Sequence, residues 1–174
     1  MRQVEIKSPQ DPLFARAFAL LSAAFPEAER RERDEQERIL QKPDYHFTVL
    51  MEDEDLIGII LYWEVGELLF LEHLATLPLL RGRGYGARAL SILKELGRPI
   101  LLEIEPPADE LTTRRFGFYR RNGFLLNSHH HIQVKYHPGD PDLELKILSY
   151  PALLTDEDYQ AFKRYMDREI GFGC

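Results

Sequence analysis

A glycine-rich turn set between an apolar strand and an apolar helix constrains this chain more than any other stretch. Leu68-Leu69-Phe70-Leu71-Glu72-His73-Leu74-Ala75-Thr76 reads as the strand, and Pro78 marks a short turn. Arg81-Gly82-Arg83-Gly84-Tyr85-Gly86-Ala87 follows, and Ala87, Leu90, Leu93 and Leu96 recur at the spacing of a helix with one buried face, stopped by Gly97. Glycines let main chain approach a ligand closely. The first N–H groups of a helix have no partner within it, and the helix dipole adds partial positive charge at that end. Arg81 and Arg83 add formal charge and fork-shaped donors. The stretch is therefore built for a phosphate-bearing ligand.

The elements on either side decide the fold class. Val4–Lys7 reads as a first strand, followed by a helix with Asp11 as N-cap, Pro12 in its first turn and Leu13, Phe14, Ala17, Leu20, Leu21 and Ala24 on its packed face. The charge-dominated segment 27–42 reads as a second, mostly exposed helix. Its glutamates are either a solvated face or a lip that draws in a cationic amine. Strands at His46–Glu52 and Leu56–Val65 flank the acidic hairpin turn Glu52-Asp53-Glu54-Asp55, and Gly66 turns the chain into the Leu68 strand. Such short connections require antiparallel strands. The strand Ile100–Glu105 is apolar in its first half, which suits a central strand. With the Leu68 strand and the helix after the glycines it makes one right-handed βαβ unit. A basic helix Leu111–Asn122, short strands at Phe124–Asn127 and Ile132–Tyr136, a strand Leu143–Ser149 and a helix capped by Thr155 complete the chain. The fold expected is α/β with a mixed sheet: antiparallel N-terminal strands, one central βαβ unit, and a C-terminal strand and helix segment.

Composition narrows the function. At 174 residues, one domain spanning 1–174 is expected. A net charge of −7 argues against a nucleic-acid partner. The opening Met1-Arg2-Gln3-Val4-Glu5-Ile6-Lys7 lacks the apolar core of a signal peptide, and no apolar run nears the roughly 20 residues that cross a bilayer. Cys174 is the one cysteine, so no intrachain disulfide is expected, and the setting expected is cytoplasmic. The run His129-His130-His131 points to alternate faces of a strand, so no metal is expected there. Trp63 reads as core or cleft wall.

Gly82-Arg83-Gly84-Tyr85-Gly86-Ala87 also fits the dinucleotide pattern G-x-G-x-x-[G/A], with Glu103 about 20 residues on. Against that, the spacer Leu77–Arg81 separates the strand from the glycines, and the strands before it are antiparallel. Leu74 to Gly86 instead resembles motif A of the GNAT superfamily of acyl-CoA-dependent N-acetyltransferases: a strand, a short turn, [Q/R]-x-x-G-x-[G/A], then a helix. Phe118-Tyr119-Arg120-Arg121-Asn122-Gly123-Phe124 resembles that family's later F-Y-x-x-x-G-F segment, one helix and one strand further on.

The resemblance implies acetyl transfer from acetyl-CoA directly to an amine, on a small molecule, a lysine or a protein N-terminus. Homodimers are common in the family, and a non-catalytic acyl-CoA sensor or scaffold on the same fold is the alternative from another class. It implies that main-chain N–H groups of Arg81, Gly82, Arg83, Gly84, Tyr85, Gly86 and Ala87 hold the pyrophosphate. Leu74, Ala75 and Thr76 would pair with the pantetheine arm, one of their N–H groups polarising the thioester carbonyl. Tyr119 takes the place of the general acid that protonates the departing thiolate. Thr112 stands where an asparagine commonly contacts the CoA arm, and Arg115 where an alanine is usual. For the base, Glu72 is the foremost candidate because it interrupts an apolar strand, where a buried carboxylate is costly unless paired or useful. His73 and the pair Glu103 and Glu105 are lesser candidates.

Overall fold

The computed structural model describes residues 1–171, so Cys174 lies outside the described residues. The chain forms two compact units, one of Met1–Glu64 with Leu71–Leu96, the other of Val65–Phe70 with the chain from Gly97 onward. The fold is mixed α/β, with five α-helices among the described residues.

In the first unit the strand order is β1 (Arg2–Ile6), β2 (Tyr45–Glu52), β3 (Asp55–Val65) and β4 (Leu68–Thr76), the last entering this unit at Leu71. β1 and β2 are antiparallel from Arg2↔Met51 to Ile6↔Phe47, and β2 and β3 from Tyr45↔Trp63 to Glu52↔Asp55. The β2–β3 turn reduces to Asp53-Glu54, with Asp53 in the left-handed region at φ 51°. Asp tolerates this conformation better than most non-glycine residues. Gly58 on β3 has a different reason to be glycine: a Cβ there would lie 2.4 Å from the Ala75 carbonyl oxygen.

Helix α1 (Phe14–Ala24) buries Phe14, Ala17, Leu20 and Leu21, the face expected from the sequence. Its start is later than expected. Asp11 does not cap a helix beginning at Pro12; its carboxylate accepts the Leu13 N–H at 2.8 Å, and its carbonyl accepts the Phe14 N–H at 3.0 Å. The preceding turn has thus consumed the cap. The segment after α1 departs furthest from expectation. In place of one mostly exposed helix over 27–42 there is a 3-10 turn, Glu27–Glu29, and then α2 (Arg33–Ile39). Arg31, Gln36, Ile39 and Leu40 are all buried. Gln36 donates to the Tyr45 hydroxyl at 2.7 Å, so its buried amide has a partner inside the unit.

In the second unit β5 (Ile100–Ile104), β8 (Glu144–Tyr150) and β6 (Leu125–Leu126) are neighbours in that order, and β7 (His131–Ile132) pairs with β8. All three pairings are antiparallel. The Leu69 N–H donates to the Pro99 carbonyl at 2.8 Å, and Arg98 donates to the carbonyls of Gly66, Glu67 and Leu68. The strand expected at Ile132–Tyr136 shrinks to His131–Ile132. Val134 and Tyr136 are buried all the same, because alternating hydrophobicity reports burial rather than ladder pairing. Asn127 pins the end of β8: its amide donates to Ser149 Oγ at 2.8 Å, and its carbonyl oxygen accepts the Leu154 N–H at 2.9 Å. Helix α5 (Asp156–Glu169), with Thr155 as N-cap, buries Tyr159, Phe162 and Met166, and Phe162 meets Phe70 at 4.9 Å between ring centres. No helix among the described residues is long and apolar enough to cross a membrane.

Candidate active site

The first unit carries Glu72, Leu74, Ala75, Thr76 and Arg81–Ala87 on one continuous path. After β4, a 3-10 turn (Pro78–Leu80) leads into the glycines, and α3 runs from Tyr85 to Lys94. Gly82 and Gly84 have φ of 78° and 82°, which side-chain-bearing residues rarely adopt. A Cβ at either would meet nothing within 4 Å, so backbone conformation, not crowding, selects glycine here. Gly84 is the N-cap of α3, and no side chain caps the helix. Its leading N–H groups are therefore left to an external acceptor, with Arg81 and Arg83 exposed beside them. The helix stops at Lys94 with Glu95 as C-cap, short of Gly97, which takes φ 69° just beyond. Tyr85 serves a second purpose. Its hydroxyl donates to Glu52, which also lies 3.5 Å from Arg88, and this ties the first turn of α3 to the β2–β3 hairpin.

Glu72 is not a bare carboxylate. Its side chain is 1% exposed and meets the Arg31 guanidinium at 2.8 Å. Burial alone would push its pKa up, but Arg31 and His73 outweigh burial and hold the carboxyl down at about 2. His73 Nε2 lies 2.8 Å from the Glu29 carbonyl. A carbonyl only accepts, so Nε2 donates to it, and Nδ1 faces Glu72 at 3.7 Å. Arg31 also lies over the Trp63 ring, 5.4 Å from its centre. Here the sequence left two readings of Glu72 open, and the arginine partner is present. A carboxylate at about 2 is a weak proton acceptor at neutral pH.

The depressed value has a consequence for stability. The folded carboxyl is at about 2 against a usual 4.5, so its contribution is full above the unfolded value and disappears as pH falls through the folded one. That contribution is on the order of 3 kcal/mol. Melting temperature is expected to fall between about pH 5 and pH 2, and Glu72→Gln should flatten that limb. A limb of equal depth in the variant would assign it to other carboxylates.

The second unit carries Tyr119 and Thr112, on α4 (Glu110–Arg121). Tyr119 is 9% exposed between the rings of Phe118 and Phe124. Burial pushes its phenol up to about 12, with Arg115 pulling the other way, so it stays protonated through neutral pH. Gly123, at φ 83°, turns the chain out of α4 into Phe124. Thr112 is drawn into its own helix start. With Asp109, the N-cap, it forms a capping box in which its hydroxyl meets the Ala108 and Asp109 N–H groups, each at 3.0 Å. Arg115 is partly exposed and paired with Glu105.

Glu103 and the histidine run form an unexpected cluster. His131 is fully buried between Glu103 on one ring nitrogen and the Tyr159 hydroxyl, 3.0 Å away, on the other. Tyr159 donates in turn to the His130 carbonyl, so His131 Nδ1 must donate to Tyr159. His129 stacks on Tyr159, and His130 lies near Glu144, so the three histidines have separate partners. Among the described residues no group of three metal-ligating side chains converges.

The family model described as "Acetyltransferase (GNAT) family" matches residues 14–124, well over half the chain. The chain belongs to the GNAT acetyltransferase family. A Bacillus subtilis (strain 168) protein named "Putative acetyltransferase YjbC" is 32% identical over 111 residues, covering 62% of this chain and 55% of that protein. The chain thus matches about half the length of this curated relative. A solved structure described as "Putative acetyltransferase from GNAT family from Bacteroides thetaiotaomicron" superposes with a TM-score of 0.87 at 33% identity, over 95% of this chain and 96% of that one. A GNAT acetyltransferase from Elizabethkingia anophelis, solved with acetyl-CoA bound, shares the fold at a TM-score of 0.59 and 14% identity, over 85% and 95%. None of these matches favours the dinucleotide reading of the glycine turn.

Proposed function

We propose that this GNAT protein transfers the acetyl group of acetyl-CoA directly to an amine, in a ternary complex within one domain. The observation that carries the proposal is the uncapped start of α3 behind two left-handed glycines, at the end of β4. In this reading main-chain N–H groups between Arg81 and Ala87 hold the pyrophosphate, and Leu74, Ala75 and Thr76 line up the pantetheine arm. The amine nitrogen attacks the thioester carbonyl, the C–S bond breaks, and the Tyr119 O–H gives its proton to the leaving thiolate. The attacking amine sheds one proton to solvent water, and the Tyr119 phenolate regains one from solvent. Glu72 could take the amine proton instead only if its pairing with Arg31 relaxes, since the paired carboxylate is held at about 2. The hydrogen bonds of Thr112 support a role in starting α4 in place of a contact with the CoA arm.

The test couples binding to turnover. Acetyl-CoA is expected to raise the melting temperature and NAD is not, and free CoA is expected to appear when a panel of cationic and neutral amines is added. Binding without CoA release from any amine would instead make the protein an acyl-CoA sensor.

A further inference from the structure

Arg31 stands in a segment whose composition suggests solvent, yet it is 4% exposed. One guanidinium nitrogen is 2.8 Å from Glu72, and the group lies over Trp63. Two residues earlier, the Glu29 carbonyl accepts a hydrogen bond from His73 Nε2. The short link between α1 and α2 therefore grips two successive β4 residues, just upstream of Leu74–Thr76. A buried ion pair is a poor device for stability, because desolvation offsets most of its attraction and an apolar pair of similar size often does as well. Its benefit here is a fixed charge at a fixed place.

We propose that Arg31 is a positioning residue of the acetyl-transfer site, holding Glu72 as a carboxylate in one orientation on β4, the strand assigned above to the pantetheine arm. The inference rests on the acetyltransferase reading above. An anion held there favours the positive charge that develops on the attacking nitrogen as it bonds to the carbonyl carbon. Besides Arg31, the titratable groups that face Glu72 include His73 on β4, and Glu72 in turn helps push the buried Tyr45 hydroxyl on β2 up.

The variants Arg31→Lys, Arg31→Met and Arg31→Met/Glu72→Gln separate this role from a structural one. Arg31→Met is expected to lose about a hundredfold in kcat with little change in KM for acetyl-CoA. It should also gain an acid limb in its pH–rate profile, because a buried carboxylate without its cation protonates more readily. Arg31→Lys should recover part of the rate. The double variant removes both charges, so it is expected to regain the wild-type melting temperature while staying slow. Recovery of full turnover by the double variant would overturn the proposal, as would wild-type kcat and pH profile in Arg31→Met. Carboxyl titration of Glu72 by NMR, in wild type and Arg31→Met, needs no turnover. It tests the hold of Arg31 on Glu72 even if the wild-type protein acetylates no amine, an outcome that would remove the acetyltransferase reading instead.

Discussion

Tyr119→Phe is expected to lower kcat about a hundredfold or more while leaving acetyl-CoA affinity unchanged, since general acid catalysis contributes roughly 10²–10⁴. The substitution removes one oxygen and keeps the ring between Phe118 and Phe124, so packing should survive. The burial that shields the phenol sharpens the prediction. An ordinary phenol, near 10, already outlasts neutral pH. At about 12 the Tyr119 proton remains in place across the whole practical assay range. The alkaline loss of rate in the wild type should therefore not fall below about pH 10 on account of Tyr119. Departure of the thiolate without an acid requires it to leave as an anion, so a good leaving thiol in place of CoA should partly rescue the variant. Equal kcat in the two proteins would remove Tyr119 from the chemistry and leave it a packing residue of α4.

What the sequence made legible follows from how local each cause is. The glycines of the turn declare themselves because left-handed backbone is written residue by residue, and Gly82 and Gly84 adopt it. The stripe on α1 is legible for the same reason: a helix puts its packed face on a fixed period. Arg31 was not, since nothing local distinguishes a charged residue that points inward from its solvated neighbours. Its partner Glu72 and its platform Trp63 are distant in sequence. Thr112 shows a related limit. A position matched to a family contact can be claimed by a local hydrogen bond, and the Asp109 cap does that here. The pairing of Glu103 with His131 is likewise not local, since it depends on β8 lying between the strands that carry them.

Gly58→Ala is expected to lower stability by about 1–3 kcal/mol, the usual cost of overfilling a packed interior. For a chain of this size that is roughly 2–12 °C in melting temperature. The cause differs from that at the glycine turn, where an added methyl group has room and only the backbone conformation objects. At Gly58 the new Cβ would lie 2.4 Å from the Ala75 carbonyl, 3.2 Å from Thr76 Cα and 3.3 Å from Thr76 Cγ2. Two of those three atoms are main chain and cannot swing aside, so β4 itself must move away from β3. The residues displaced are the ones assigned to the pantetheine arm. Acetyl-CoA affinity should consequently fall along with stability, and the stabilisation by acetyl-CoA should shrink in the variant. If the variant binds acetyl-CoA as tightly as wild type while melting earlier, Ala75 and Thr76 do not hold the cofactor. Should neither quantity change, β3 and β4 are not held as closely as the Gly58 contact requires. Glycine is thus kept at position 58 by what approaches it from the neighbouring strand, a cause that nothing in its own local sequence displays.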